Sequence, residues 1–269
     1  MISEVPFVDT HCHLDRIFEA ERHTGKFTEF RTRKAFPKNF DGVVAIFCDP
    51  SALSPSLGVW RDLLEEPGIY GAFGIHPHNA KYYTDAVEER LVEALTHPKA
   101  VAWGECGLDY HYDNSPRDVQ KEVFKRQILM AVKLGKPLVV HSRDAEEDTL
   151  YILEDNLPRD WPVHLHCHGG SEAFTVALMK SFTNLVFGFT GAITFANAGQ
   201  KKLIAEVVPL ERIVLETDGP YMAPVPFRGQ TAHPGMIPYV ANQIAQLKKR
   251  PLDEVLHIAR ENTKRIYGF

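Results

Sequence analysis

The chain has 269 residues, 44% hydrophobic and 24% charged, with a formal net charge of -5. That length suits one domain, residues 1–269, with a sizeable core, and the balance is ordinary for a water-soluble globular protein. The negative charge argues against broad nonspecific attraction to nucleic acid but leaves room for a local cationic groove, and no apolar run reaches the roughly 18 residues of a membrane span.

Phe7 to His13 reads as an apolar strand ending in Val8-Asp9-Thr10-His11-Cys12-His13. Strand side chains alternate faces, so His11 and His13 point the same way and make half of a metal site. Residues 16–38 follow, carrying Arg22, His23, Lys26, Arg31, Arg33, Lys34 and Lys38. This stretch reads as a solvated surface excursion or, functionally, as an electropositive flap near a mouth.

Gly42 to Cys48 is a continuous apolar run of the kind buried on both faces of a parallel sheet. Helical text spans Leu57–Leu64, and a third strand, Ile69–Ile75, ends in Gly74-Ile75-His76-Pro77-His78. A helix over Ala86–Thr96 leads to a strand at Ala100–Trp103, followed by Gly104-Glu105-Cys106-Gly107-Leu108-Asp109. Ser115-Pro116 opens a long amphipathic helix to Leu134, with proline in the first turn.

The fifth strand, Pro137–Val140, ends in His141-Ser142-Arg143-Asp144, and helical text continues through Asn156. The sixth, Pro162–Leu165, ends in His166-Cys167-His168-Gly169-Gly170. Strands at Leu185–Phe189 and Arg212–Leu215 follow, the latter ending in Glu216-Thr217-Asp218-Gly219-Pro220. Two helices, Ile237–Leu247 and Leu252–Ile266, close the chain.

Eight strands alternating with helices predict an α/β protein with a (β/α)8 TIM-like barrel. His11 and His13, His76, Glu105, His141, His166 and Asp218 all stand at C-terminal strand ends, the face that carries chemistry in such barrels. Four of these imidazoles with Glu105 and Asp218 can hold two divalent ions, and the nitrogen-rich set favours zinc or manganese over magnesium. A pair of ions about 3.5–4 Å apart lowers the pKa of a water from 15.7 to about 7 and polarises a phosphoryl or carbonyl oxygen. Asp218 is the candidate general base as well as a ligand, and Glu216 is read as pointing to the opposite face in a supporting role. The four cysteines, Cys12, Cys48, Cys106 and Cys167, read as small buried thiols rather than a disulfide framework.

The motifs His11-Cys12-His13-Leu14-Asp15, Gly74-Ile75-His76-Pro77-His78, Gly104–Asp109, His141-Ser142-Arg143, His166-Cys167 and Glu216–Tyr221 together resemble the TatD family of metal-dependent deoxyribonucleases, in order over nearly the whole chain. The resemblance implies an amidohydrolase-like barrel with one or two divalent metals, zinc, manganese or magnesium, that hydrolyses DNA phosphodiester bonds, trimming single strands or 3' ends. It places the ligands on His11, His13, Glu105, His141, His166 and Asp218, with Glu105 as bridge. His76 falls near the substrate, Arg143 and Arg228 are candidate phosphate contacts, and Asp15 resembles a residue that orients an imidazole. The expected setting is the cytoplasm, with the nucleus as the alternative, and no membrane or obligate protein partner.

Two departures stand out. His164, His166 and His168 alternate, so periodicity alone cannot choose a ligand; His166 is taken from the Cys and Gly that follow, and His168 reads as a replacement for an aromatic that stacks on a base. The loop Arg228–Pro234 lacks an asparagine common in relatives, which bears on nucleotide contacts. Two other functions are compatible with the residues: a metal-dependent hydrolase of another bond, such as the ester of aminoacyl-tRNA or a cyclic amide, and a noncatalytic metal-binding scaffold. Glu105, where many cyclic-amide hydrolases carry lysine, speaks against the first; six candidate ligands, more than a closed structural site uses, speak against the second.

Overall fold

Residues 3–54, 58–112 and 114–269 are described by the computed structural model. The apolar runs form eight parallel strands in the order β1 (Phe7–Cys12), β2 (Phe40–Phe47), β3 (Ile69–Phe73), β4 (Ala100–Asp109), β5 (Leu138–Arg143), β6 (Val163–Leu165), β7 (Leu185–Phe189) and β8 (Ile213–Leu215). Between them lie α1 (Leu14–Ala20), α2 (Phe27–Arg33), α3 (Val59–Glu65), α4 (Asp85–Ala94), α5 (Arg117–Leu134), α6 (Glu146–Asn156), α7 (Glu172–Ser181) and α8 (Gly199–Val207). After β8 come α9 (Ile237–Lys248) and α10 (Leu252–Tyr267). The eight-strand α/β barrel read from the alternation is the observed fold.

Each strand sorts its residues by period two. Val44, Ile46, Ala72, Ala102, Val139, Val186 and Val214 pack inside the barrel with Ile266 and Tyr267 of α10, and the other faces meet the helices in the main core. The seam between β1 and β8 is closed by specific bonds. Asp218 N–H donates to the His11 carbonyl at 2.9 Å and His13 N–H to the Gly219 carbonyl at 2.9 Å. The Thr10 hydroxyl reaches the Leu215 carbonyl at 3.0 Å, and buried Asp9 accepts from Thr217 N–H at 3.0 Å and His11 N–H at 3.1 Å. These contacts bring the two ends of the chain's chemistry together.

β4 and β5 run further than the hydrophobicity alone indicates, because polar residues facing the interior continue the ladder: Gly107 pairs with His141 and Asp109 with Arg143. The predicted helix at Leu57–Leu64 is observed from Val59, Leu57 itself lying outside the described residues. Pro116 sits one residue before α5, at its cap, rather than inside the first turn.

The basic stretch 16–38 is not a loose excursion. It forms α1 and α2, pinned by Leu14, Ile17, Phe27 and Phe30, all almost fully buried. Each such large apolar side chain contributes roughly 1.5–3 kcal/mol. Its cations are absorbed locally: Lys34 lies 2.8 Å and Arg33 3.6 Å from Glu21, and Arg31 sits over the Phe40 ring at 4.9 Å.

His233, from the loop after β8, stacks on Phe36 at 4.8 Å with rings 12° apart, and burial lowers its pKa from 6.5 to about 4. Because its folded pKa is depressed, protonation favours the unfolded chain. Its contribution is complete above pH 6.5 and is lost as pH falls from 6.5 towards about 4. Within that window the loss approaches about 1.4 kcal/mol per pH unit. Urea unfolding of His233→Phe should therefore show a shallower decline between pH 7 and 4.5 than the parent; equal slopes would contradict this assignment.

Candidate metal centre

Glu105 occupies the centre of the barrel mouth. Its carboxylate is 2% exposed, and no lysine or arginine among the described residues pairs with it; its neighbours are imidazoles. Oε2 lies 3.4 Å from His11 Nε2 and 3.8 Å from His13 Nε2, whereas Oε1 lies 3.0 Å from His141 Nδ1, 3.2 Å from His166 Nε2 and 3.5 Å from His76 Nε2. Asp218 completes the first side, with Oδ1 3.4 Å from His13 Nε2 and 3.7 Å from His11 Nε2.

The local backbone explains how β4 presents this side chain. Gly104 and Gly107 have φ of 138° and 143°, and a Cβ on either would fall 2.4 Å from the Val139 carbonyl oxygen or 2.0 Å from that of His141. Only glycine fits both the torsion and the approach to β5. The ladder slips between Trp103 and Cys106, and Glu105 sits in that irregularity, turned into the barrel.

Two imidazoles are held from behind by carboxylates. His141 Nε2 donates to Asp109 Oδ2 at 3.0 Å, which leaves Nδ1 facing Glu105. His166 Nδ1 lies 3.4 Å from Glu216 Oε1 while Nε2 faces Glu105. The bond to Asp109 fixes the His141 ring and its tautomer for metal binding, whereas His166 Nδ1 faces Glu216 without a hydrogen bond. His78 Nε2 also reaches Asp109 Oδ2, at 3.1 Å.

Charge follows this geometry. Burial pushes the Glu105 pKa up, but His166, His76 and His11 outweigh it and hold it well below the usual range. Burial also opposes charge on His166 and His141, yet Glu105 and Glu216 raise the first, and Asp109 and Glu105 raise the second. His11 goes the other way, lowered to about 4 by burial and by neighbouring His166, whose ring stacks on it at 3.7 Å. It is therefore a neutral donor at neutral pH, the form a metal requires.

The donor set fits divalent ions. His11 Nε2 is fully buried and has no hydrogen-bond partner, a costly state that a bound cation would relieve. Donor separations of 3.4–3.8 Å are those of the edges of a polyhedron with bonds of about 2.0–2.2 Å. His11, Glu105 and His166 form one compact donor group, His11, His13 and Asp218 another, and His76, Glu105 and His141 a third.

All the predicted ligands thus converge, and His76 joins them, its Nδ1 accepting from His78 N–H at 3.1 Å. Arg143 and Arg228 stay at exposed positions, each over an aromatic ring, Tyr112 at 5.1 Å and Phe195 at 3.8 Å. Three expectations need correction. Among the described residues Asp15 orients no imidazole; it accepts from Arg16 N–H at 2.9 Å, and the orienting role falls to Asp109, whose approach to His141 depends on strand register. Glu216 faces the same interior as Asp218, as residues two apart do, and lies 2.9 Å from His164 Nε2 at an angle short of a proper hydrogen bond. His168 does not look towards a substrate: Cys167 adopts φ 47°, which swings His168 away to bond Thr175 at 2.7 Å and pack against Phe187. His164 lies deeper, bonded to the Tyr267 hydroxyl at 2.7 Å.

A family model described as TatD related DNase matches residues 8–268. The Homo sapiens protein named 3'-5' RNA nuclease TATDN2 is 45% identical over 98% of this chain, which spans 35% of that protein's length. The Bacillus subtilis (strain 168) protein named uncharacterized metal-dependent hydrolase YabD is 36% identical, with 96% of this chain and 98% of its own length covered. Among solved structures, YJJV from Escherichia coli K12, a TatD homolog, superposes with a TM-score of 0.85 at 25% identity, covering 99% of this chain and all (100%) of that one. A TatD family hydrolase from Entamoeba histolytica, 17% identical and covering 98% of both chains, shares the fold with a TM-score of 0.80. The resemblance carried by the motifs is borne out: this chain belongs to the TatD-related DNase family of metal-dependent hydrolases.

Proposed function

We propose that the chain hydrolyses phosphodiester bonds of nucleic acid, removing nucleotides from the 3' end of single-stranded DNA with two divalent ions, zinc, manganese or magnesium. The observation that carries this reading is the division of Glu105: one oxygen faces His11 and His13, beside Asp218, and the other faces His141 and His166. His11, His13, Glu105 and Asp218 would hold one ion, and Glu105, His141 and His166 the other. When bound, such a pair lowers the pKa of a water and stabilises charge on phosphoryl oxygens.

The chain's own residues supply the rest. Asp218 turns Oδ1 to the imidazoles and leaves Oδ2 to take the proton of the attacking water. His76, on the same side of Glu105 as His141, holds the scissile group by hydrogen bonding. Arg143 and Arg228 offer guanidinium forks to flanking phosphates. Asp109 keeps His141 from rotating, and the Glu216 charge lies behind His166.

A second reading keeps the chemistry and changes the sugar. The human relative named as an RNA nuclease is 45% identical to this chain, which favours RNA as the polymer.

With 5'-labelled single-stranded DNA and RNA of matched sequence, the expected result is a ladder of products shortened from the 3' end, abolished by EDTA and restored by Mn²⁺ or Mg²⁺. The polymer that ladders decides between the two readings. Asp218→Asn should lower the rate about 10²–10⁴-fold with an unchanged circular dichroism spectrum. If neither polymer is cut while a small ester or amide is, the proposal fails.

Asp109→Asn tests the support of the second site by calorimetry. Removing the charge behind His141 should weaken one of two Mn²⁺ binding events roughly 10–100-fold and spare the other. Two unchanged affinities would show that Asp109 has no such role.

A further inference from the structure

Of the eight strand ends, β2, β3 and β7 supply none of the ligands proposed above. At the end of β2, Cys48 continues the inward series of Val44 and Ile46, and it is 2% exposed. Its Sγ lies 3.7 Å from Glu105 Oε2, the oxygen that faces His11 and His13. Cys48, a ring nitrogen of His13 and a Glu105 oxygen all fall within 4.8 Å of one another.

We propose that Cys48 is a thiolate ligand to the ion held by His11, His13, Glu105 and Asp218, giving that position a preference for zinc over magnesium or manganese. The inference rests on the metal reading of the site given above. Two independent observations carry it. First, a separation of 3.7 Å between Sγ and Oε2 is one that a sulfur bond of about 2.3 Å and an oxygen bond of about 2.0–2.2 Å to a shared ion span without distortion. Second, Sγ, a His13 ring nitrogen and a Glu105 oxygen lie within 4.8 Å of one another, and Glu105 Oε2 also faces His11 Nε2, fully buried and without a hydrogen-bond partner, at 3.4 Å.

The balance is simple. As the sulfur–metal bond forms, the thiol proton leaves to solvent, and no oxidant or reductant is involved. A soft thiolate beside imidazoles selects zinc-like ions, whereas carboxylate and water alone suit magnesium and manganese. The other thiols do not share this geometry: buried Cys106 Sγ points at the Val139 carbonyl oxygen at 3.8 Å, half-buried Cys167 Sγ at Thr190 and Met222, and buried Cys12 packs in the main core.

The test is optical. The full chain, stripped with EDTA and titrated with Co²⁺ alone, should show visible d–d bands together with a near-ultraviolet thiolate-to-cobalt charge-transfer band. The charge-transfer band should vanish in Cys48→Ser and persist in Cys106→Ser. In the same variant, Zn²⁺ affinity should fall by roughly tenfold or more, against the 10–100-fold that even indirect partners of a metal contribute, while Mn²⁺ affinity stays within a factor of about three. Visible bands in the parent chain without charge transfer, or charge transfer that survives Cys48→Ser, overturn the thiolate ligand and leave the other ligands standing. Absence of any visible band on Co²⁺ addition overturns the metal reading itself and this inference with it.

Discussion

A carboxylate removed from water and ringed by imidazoles is the constraint on which this molecule turns. Glu105 is almost fully buried, and five histidines from β1, β3, β5 and β6 or the loops that follow them approach its two oxygens within 3.8 Å. A buried ion is tolerable only when paired and hydrogen-bonded. Here His141 and His166, whose pKa values Glu105 helps to raise, meet that demand, and bound divalent ions would take the place of their protons.

The barrel exists to hold this arrangement. Its seam is closed by Asp9, Thr10 and Thr217, which set β1 against β8 and so place Asp218 beside His11 and His13. Gly104 and Gly107 let β4 approach β5 closely enough to aim Glu105 inward. Small interior residues serve the same end: a Cβ on Gly188 would strike Glu216 and His164, so glycine there makes room for the carboxylate behind His166. The polar interior is thus supported from several strands at once, and no single element positions the site.

Much of this was legible in the sequence, for physical reasons. Parallel strands buried on both faces leave apolar runs, and polar residues ending those runs mark the barrel's open face. That is why His11, His13, Glu105, His141, His166 and Asp218 stand out in the sequence as one candidate donor set. What stayed hidden depends on register and backbone torsion. Asp109 meets His141 only because β4 and β5 pair with a slip, and His168 leaves the interior only because Cys167 takes a left-handed turn. The two helices within 16–38 were masked by their charge, although Phe27 and Phe30 carried the apolar signal. Cys48 was read as one more core thiol, since nothing in a linear apolar run tells a packed sulfur from one that borders a carboxylate.

The central claim is that two cations share Glu105. Anomalous diffraction from crystals soaked in Mn²⁺ measures this directly. Two peaks about 3.5–4 Å apart should flank the Glu105 carboxylate, one near His13 and Asp218 and the other near His141 and His166. Peaks elsewhere, or an empty cluster at saturating Mn²⁺, would contradict the account.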